Sequence, residues 1–208
     1  MKSLADALLY GIVDTGYVAR ERLVEMTLFL IQGGIDLIQL RAKLESPDEI
    51  LLMAREIAPI CRREGVPLIL NDHPELVQEA GAHGAHVGQN DLSVSEARRL
   101  AGPGTIIGKS THSVEQAIAA AAESPDYIGF GPLFATPTKP DYAAIGTGEI
   151  RKIHAALDLP IFCIGGIKLT NLPYILNSGA RRVVIVSDLL NSNDPAAQTA
   201  ACKILLKG

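Results

Sequence analysis

The sequence predicts an α/β protein in which eight parallel strands alternate with helices and close into a barrel. Three observations predict it. Short apolar runs recur along the chain, and nearly every one ends in a small polar cluster. Segments of helical spacing, several opened by a capping residue, separate those runs. The length of 208 residues and the hydrophobic content of 48% suit one domain with a substantial core and leave little room for a second.

Strand one is expected over residues 8–14. Residues 18–32 have helical spacing, and Gly33-Gly34 ends that helix as a left-handed stop would. Strand two covers 37–42. Ser46 caps the next helix, Pro47 takes its first position and Glu49 completes a capping box; the helix stops at Gly65. Strand three (67–72), helix three (74–80) and strand four (84–88) follow. Ser93 caps a helix reaching residue 100, with Glu96 in the box position. Strand five covers 105–111, and Ser113 caps a helix to residue 123 with Gln116 in its box position. Strand six covers 127–134, a long loop spans 135–147, and helix six ends near residue 157. Strand seven is 160–165, helix seven 170–177 and strand eight 182–189; Asp194-Pro195 opens the last helix.

Alternation of this kind implies parallel strands joined by right-handed crossovers. Eight such units close into a single (β/α)8 TIM barrel spanning residues 1–208, at the short end of that fold's size range. An open doubly wound sheet is the alternative. It places a glycine-rich phosphate loop after its first strand, and Val13-Asp14-Thr15-Gly16 has no such fingerprint.

The net charge of −4 gives no general attraction to nucleic acid or to an anionic membrane, so an anionic ligand needs a local basic cluster. No apolar stretch reaches the roughly 18 residues of a spanning helix. The N-terminal residues lack the pattern of a secretory signal. Cys61, Cys163 and Cys202 are scattered and odd in number, which reads as reduced, buried thiols in a cytoplasmic protein. No His or carboxylate is tied to any of them in sequence, which disfavours a catalytic thiol.

In a barrel the chemistry gathers at the carboxyl ends of the strands. Strand two offers Gln39, Arg41 and Lys43, spaced by two and so directed to one face. Later strand ends offer Asn71 and Asp72, Gln89 and Asp91, Ser110 with Thr111 and His112, and Thr136, Thr138 and Lys139. Strands seven and eight offer Gly165-Gly166 and Ser187. The cations Arg41, Lys43 and Lys139 thus share a rim with the carboxylates Asp72 and Asp91. They either neutralise one another in ion pairs, or the carboxylates hold Mg2+ while a polyphosphate bridges metal and cations. Gly165-Gly166 and Ser187 either form a second anion site or, in the case of the glycines, only turn the chain. His112 can be read as a general base or as a packing residue, and packing is the more common case. His86 is expected to face the core, and His73, His83 and His154 to lie on loops or helix surfaces. No His/Cys spacing suggests zinc.

These residues also carry a family likeness. Over nearly its full length the chain resembles thiamine phosphate synthases, through QLRAK (39–43), LND (70–72), HVGQND (86–91), GKSTHS (108–113), YIGFGPLFATPTK (127–139), IGGI (164–167) and VIVSD (184–188). The resemblance implies coupling of a hydroxymethylpyrimidine diphosphate to a thiazole phosphate, giving thiamine phosphate and diphosphate. By motif, it implies pyrimidine diphosphate contacts from Gln39, Leu40, Arg41, Ala42, Lys43, Asn71, Ser110 and Lys139. Arg41, Lys43, Ser110 and Lys139 are the catalytic candidates. Thiazole phosphate contacts would come from Thr136, Pro137, Thr138, Gly166, Val186 and Ser187, and Mg2+ ligands from Asp72 and Asp91. No protein nucleophile or strong base is required, because the main task is to stabilise a departing diphosphate and exclude water.

Some positions depart from the family pattern. Ala42 stands where Asp is frequent, and His73 where Arg or Tyr is common. Asp188 replaces a small apolar residue, and a carboxylate there must point away from any phosphate. Residues 140–148 lack the usual glycine-and-leucine pattern. A related thiazole tautomerase shares the barrel but carries a His where this chain has Pro132. A non-catalytic barrel that senses a phosphorylated metabolite would not need Asp72, Asp91, Arg41 and Lys139 together.

Overall fold

The computed structural model describes residues 2–136 and 143–208. Eight parallel strands pair in chain order, and the first closes on the last. They are β1 (Leu9–Asp14), β2 (Leu37–Arg41), β3 (Leu68–Asn71), β4 (Gly84–Val87), β5 (Ile106–Thr111), β6 (Tyr127–Phe130), β7 (Ile161–Cys163) and β8 (Val183–Ile185). Around them lie α1 (Leu23–Gln32), α2 (Pro47–Arg63), α3 (Val77–Ala80), α4 (Val94–Ala101), α5 (Val114–Ala122), α6 (Ile150–Ala156), α7 (Leu172–Asn177), α8 (Ser187–Leu190) and α9 (Pro195–Lys207).

Strand alternation sorts the core into two compartments. Outward residues such as Leu9, Ile38, Leu68, Ile128 and Val183 pack beneath the helices. Inward residues, among them Tyr10, Leu37, Ile69, Tyr127, Phe162 and Val184, fill the barrel itself. The three interior rings need space that one glycine provides. A Cβ on Gly108 would stand 2.1 Å from Cζ of Tyr127. A side chain at this inward position of β5 would therefore expel the ring.

Local signals placed several helices as expected. Oγ of Ser46 accepts the Glu49 N–H, and the Glu49 carboxylate accepts the Ser46 N–H at 2.8 Å. Ser93 and Glu96 do the same for α4. At α5 the box is incomplete: Ser113 accepts the Gln116 N–H, but Oε1 of Gln116 takes the His112 N–H at 2.8 Å. Gly34 adopts φ +90 after α1, while Gly33 stays helical. A Cβ on Gly33 would lie 2.5 Å from the Ala196 carbonyl, so its lack of a side chain lets α9 approach α1.

Four segments differ from expectation. The helix read over residues 18–32 starts as a separate 3-10 turn, Arg20–Arg22. The helix read over residues 74–80 also starts as a separate 3-10 turn, Pro74–Leu76. Strand six stops at Phe130 rather than residue 134, since Pro132 has no N–H to continue the ladder. Strand eight stops at Ile185 rather than residue 189. The N–H groups of Leu189 and Leu190 turn back to the Val186 carbonyl, and α8 makes nine α-helices among the described residues instead of eight. The run is apolar throughout, and apolarity alone cannot tell a buried strand from a buried helix turn.

Asp36, just before β2, fastens the two ends of the chain together. Its Oδ2 accepts the N–H groups of Leu8 and Leu9 at 2.8 and 3.0 Å, and Lys203 of α9 pairs with the same oxygen. Burial alone would favour the neutral acid. The Lys203 and backbone hydrogen bonds outweigh it and hold the Asp36 carboxyl below its usual range. None of the described helices is long and apolar enough to cross a membrane.

His83 lies on the loop before β4 and His154 on α6, as the sequence predicts. Both are partly buried, and Nδ1 of His83 accepts the Leu68 N–H at 3.0 Å. Burial, then Arg181 and Arg182, lower His154 from 6.5 to about 4. As pH falls below 6.5 the unfolded chain takes up this proton before the folded one does, so stability drops towards pH 4. His154→Gln should flatten that part of a Tm-versus-pH curve, measured by thermal unfolding from pH 7 to 4. Parallel curves for the two proteins would show that other groups set the acid limb.

Candidate active site

The barrel mouth opens above an aromatic floor. The Tyr10, Tyr127 and Phe162 rings meet edge to face, with centroids 5.5–5.7 Å apart. Their burial forces each phenol to find a partner. Nε2 of Gln39 donates to Oη of Tyr10 at 2.6 Å, the two phenol oxygens are 2.9 Å apart, and Oη of Tyr127 lies 3.0 Å from Nδ1 of His86. Nε2 of His86 is 2.8 Å from Oγ of Ser110. Five side chains from β2, β1, β6, β4 and β5 form one hydrogen-bonded series. Burial raises both phenol pKa values well above the ordinary value, so both keep their protons.

His86 stacks on Tyr127 at 5.5 Å and borders the cavity as well as the core. Its exposed edge corrects the purely core-facing expectation. Nδ1 of His112 lies 2.5 Å from the Gly131 carbonyl, which ties this ring to the barrel wall. The neighbouring Gln89 donates from Nε2 to the Ser110 carbonyl at 2.5 Å and steadies the end of β5.

Charge is arranged around the mouth in pairs. Nη1 of Arg41 donates to Oδ2 of the buried Asp14 at 2.6 Å, and Oδ1 of Asp14 takes the Gly16 N–H at 2.9 Å. Arg41 Nε is buried with no hydrogen-bond partner among the described residues. The Arg41 side chain keeps 15% of its surface exposed, and Nε supplies essentially none of it, so a ligand would meet this guanidinium through its other nitrogens. At the more open rim, Lys43 pairs with Oδ2 of Asp72, and Nδ2 of Asn71 donates to the same oxygen at 2.8 Å. Asp72 has φ +63, a left-handed conformation that turns the chain sharply after β3. Oδ2 of Asp91 accepts the Gly88 N–H at 2.7 Å.

The residues singled out in the sequence fall into four groups. Gln39, Arg41, Asn71, Ser110, Thr136, Gly166, Val186 and Ser187 all line one cavity. Lys43, Asp72 and Asp91 lie outside the lining, Lys43 and Asp72 beside Asn71 at the rim and Asp91 on the loop after β4. The side chains of Leu40 and Ala42 point the other way, into the core under the helices, so only their backbone can serve a ligand. The alternation that turns Gln39 and Arg41 inward turns them outward. Pro137, Thr138 and Lys139 lie outside the described residues.

On the far wall Gly165 and Gly166 have φ +100 and +63, and a Cβ on Gly165 would sit 2.4 Å from Cβ of Pro132. Both turn the chain and allow it to press against the β6 side. Asp188 points away from the cavity: its Oδ2 accepts the Leu169 N–H at 2.8 Å and Nε2 of Gln198 at 2.9 Å. Sequence reasoning passed over Asp14, Tyr10, Tyr127 and Lys168. Asp14 ends its strand like the other polar clusters, and Lys168 lines the cavity directly after the glycine turn. The tyrosines read as ordinary core residues, and nothing local marks their hydroxyls as polar floor.

No group of three or more His, Cys, Asp or Glu that could hold a metal occurs among the described residues. Two carboxylates remain, and Oδ1 of Asp72 and of Asp91 takes part in no hydrogen bond or ion pair among the described residues. This donor set is too small for a self-sufficient metal cage. It matches the one or two carboxylates that Mg2+ uses when phosphate oxygens and water complete its shell.

Residues 9–189 match the family model described as thiamine monophosphate synthase. The chain is 41% identical over 190 residues to a thiamine-phosphate synthase of Thermus thermophilus, covering 90% of this chain and 91% of that one. It is 43% identical over 204 residues to a thiamine-phosphate synthase of Acidothermus cellulolyticus, covering 95% and 94%. Among solved structures, a thiamine phosphate pyrophosphorylase from Pyrococcus furiosus superposes with a TM-score of 0.88 at 26% identity, over 97% of this chain and 96% of that one. A 3-hexulose-6-phosphate synthase at 15% identity and a TM-score of 0.69 shares the barrel alone.

Removing one partner of a buried ion pair leaves the other charge uncompensated. Asp14→Ala should therefore lower the unfolding free energy by about 3 kcal/mol, read from urea titration. A loss below about 1 kcal/mol would place the pair in the class of solvated surface contacts.

Proposed function

The chain belongs to the thiamine monophosphate synthase family, as a transferase that joins hydroxymethylpyrimidine diphosphate to thiazole phosphate and releases diphosphate, and on that premise we propose how its cavity divides the work. The observation that carries the reading is Arg41 at the cavity wall, its guanidinium largely buried and held by Asp14. Asp14 holds Nη1 and sets the plane of the guanidinium. The terminal nitrogens are left to donate to a phosphate oxygen. Asn71 lines the same wall, and Lys43 and Lys139 add positive charge near the leaving group. Gln39 and Ser110 meet the pyrimidine over the aromatic floor.

Asp72 and Asp91 would hold Mg2+ through their open oxygens together with diphosphate oxygens. Bound there, Mg2+ supplies positive charge to the departing diphosphate. The pyrimidine ring stabilises the cation that develops on its methylene carbon as the C–O bond breaks. The chain's own residues then have three tasks. Arg41, Lys43 and Lys139 stabilise the charge that builds on the leaving oxygens. The floor and the wall of Gly131, Pro132 and Ile164 exclude water from the reactive carbon. Thr136, Gly166 and Ser187, joined by Pro137, Thr138, Val186 and Lys168, hold the thiazole phosphate so that the ring nitrogen faces that carbon. The outward turn of Asp188 keeps its carboxylate off this phosphate. A cytoplasmic location belongs to the same reading. Its support is that Cys61, Cys163 and Cys202 are free and buried, their thiols pushed up to about 12 chiefly by burial.

Purified protein given both substrates and Mg2+ should form thiamine phosphate, and excess EDTA should abolish formation until Mg2+ is restored. Absence of product at every metal concentration would falsify the reaction. Lys139→Ala should cost about 2–4 kcal/mol of transition-state stabilisation, read from kcat/KM. A loss of only a few-fold would show that Lys139 takes no part in charge stabilisation.

A further inference from the structure

We propose that the series Gln39–Tyr10–Tyr127–His86–Ser110 selects the ring this enzyme accepts, by fixing Ser110 as a hydrogen-bond donor to it. The inference rests on the reading that Ser110 meets the pyrimidine. Tyr10, Tyr127 and His86 then act as positioning residues that set specificity through Ser110.

The argument is a count of protons. The Gln39 amide nitrogen faces Oη of Tyr10 at 2.6 Å, so Tyr10 accepts there. Tyr10 is buried, and its single O–H has one other partner among the described residues, Oη of Tyr127 at 2.9 Å. Tyr127 is buried too; having accepted from Tyr10, it sends its own proton to Nδ1 of His86 at 3.0 Å. Nδ1 must therefore be bare, and the proton of a neutral imidazole sits on Nε2. That N–H donates to Oγ of Ser110 at 2.8 Å. The Ser110 hydroxyl proton is left for a ligand in the cavity that Ser110 lines.

Reversing any link leaves two protons facing each other, or strands a buried phenol O–H without an acceptor, and either loses a full hydrogen bond in a desolvated place. A doubly protonated His86 fails for the same reason. It would push the Tyr127 proton back onto Tyr10, which already accepts from Gln39 and would have nowhere to donate. The polarity set at Gln39 is thus carried across the barrel floor to Ser110.

A donor at Ser110 asks for an acceptor on the substrate. An aminopyrimidine presents bare ring nitrogens beside its amino group. The oxo counterpart, in its lactam form, carries a proton on the ring nitrogen next to the carbonyl. It would set donor against donor, a mismatch that buried polar sites reject strongly. The floor therefore distinguishes two rings of nearly equal size and shape by hydrogen-bond polarity rather than by fit.

The test compares kcat/KM for the aminopyrimidine diphosphate with that for its oxo analogue, with thiazole phosphate and Mg2+ present. Wild-type protein should prefer the amino ring. Tyr127→Phe removes two links and frees His86 to hold either tautomer, so the preference should shrink by about tenfold or more, as loss of one enforced hydrogen bond implies. An undiminished preference in an active Tyr127→Phe protein overturns the inference. Wild-type protein that turns over neither ring overturns the underlying reading instead. Nitrogen-15 NMR of the wild-type imidazoles, assigned with His86→Gln, tests the polarity whether or not the variant folds. A proton on Nε2 and a bare Nδ1 support it; a proton on Nδ1 overturns it.

Discussion

The interior of this barrel must be filled, and three aromatic rings fill it. That requirement governs much of what stands above it. Rings of this size fit because Gly108 leaves β5 bare where the Tyr127 ring passes. Two of the rings bring hydroxyl groups into the buried interior. Those hydroxyls cannot be left unpaired, so they recruit Gln39, His86 and Ser110 from three further strands. The floor of the cavity is consequently rigid and polar at chosen points while remaining apolar elsewhere. Packing and recognition are one structure here: the atoms that fill the barrel also orient the groups that face a substrate.

Charge is organised by depth. Asp14 and Arg41 form a pair with little solvent exposure, which confers orientation rather than stability on the guanidinium. Lys43 and Asp72 form a more exposed pair at the rim, where solvent screens the interaction and the partners can be exchanged at little cost. In the proposed reading, Lys43 would turn to the diphosphate and Asp72 would be left to help hold a divalent cation, which would supply positive charge there. Of the two readings drawn from the sequence, mutual neutralisation is what Lys43 and Asp72 show here, and the metal–diphosphate site is the proposed one.

What the sequence made legible was chemistry that acts over a few residues. Ser46 with Glu49, and Ser93 with Glu96, announce helix starts because both partners of the capping box lie within one turn. The two-residue spacing of Gln39 and Arg41 shows which way they face, and by the same rule it turns Leu40 and Ala42 away. Long-range pairing stayed hidden. Asp14 meets Arg41 across 27 positions and Tyr10 meets Tyr127 across 117, and no local pattern encodes either. The ends of strands six and eight were misplaced for another reason. Apolar residues continue past both, and only a missing proline N–H in one case and a turn back to Val186 in the other stops the ladder. The family resemblance supplied the site residues whose geometry the pattern alone could not order.

The Asp36 clasp has a consequence for how the chain is made. Its carboxylate sits among the first strand, the start of the second and the final helix, and Lys2 and Lys203 balance it from distant parts of the sequence. All eight strands and Lys2 precede Lys203 in the sequence, so Asp36 has one of its two cations and not the other until α9 is made. Gly33, shaped to receive α9, has no neighbour until then either. Docking of α9 therefore completes the clasp after the eight strands have been made, and it reinforces a closure that the β1–β8 ladder itself forms.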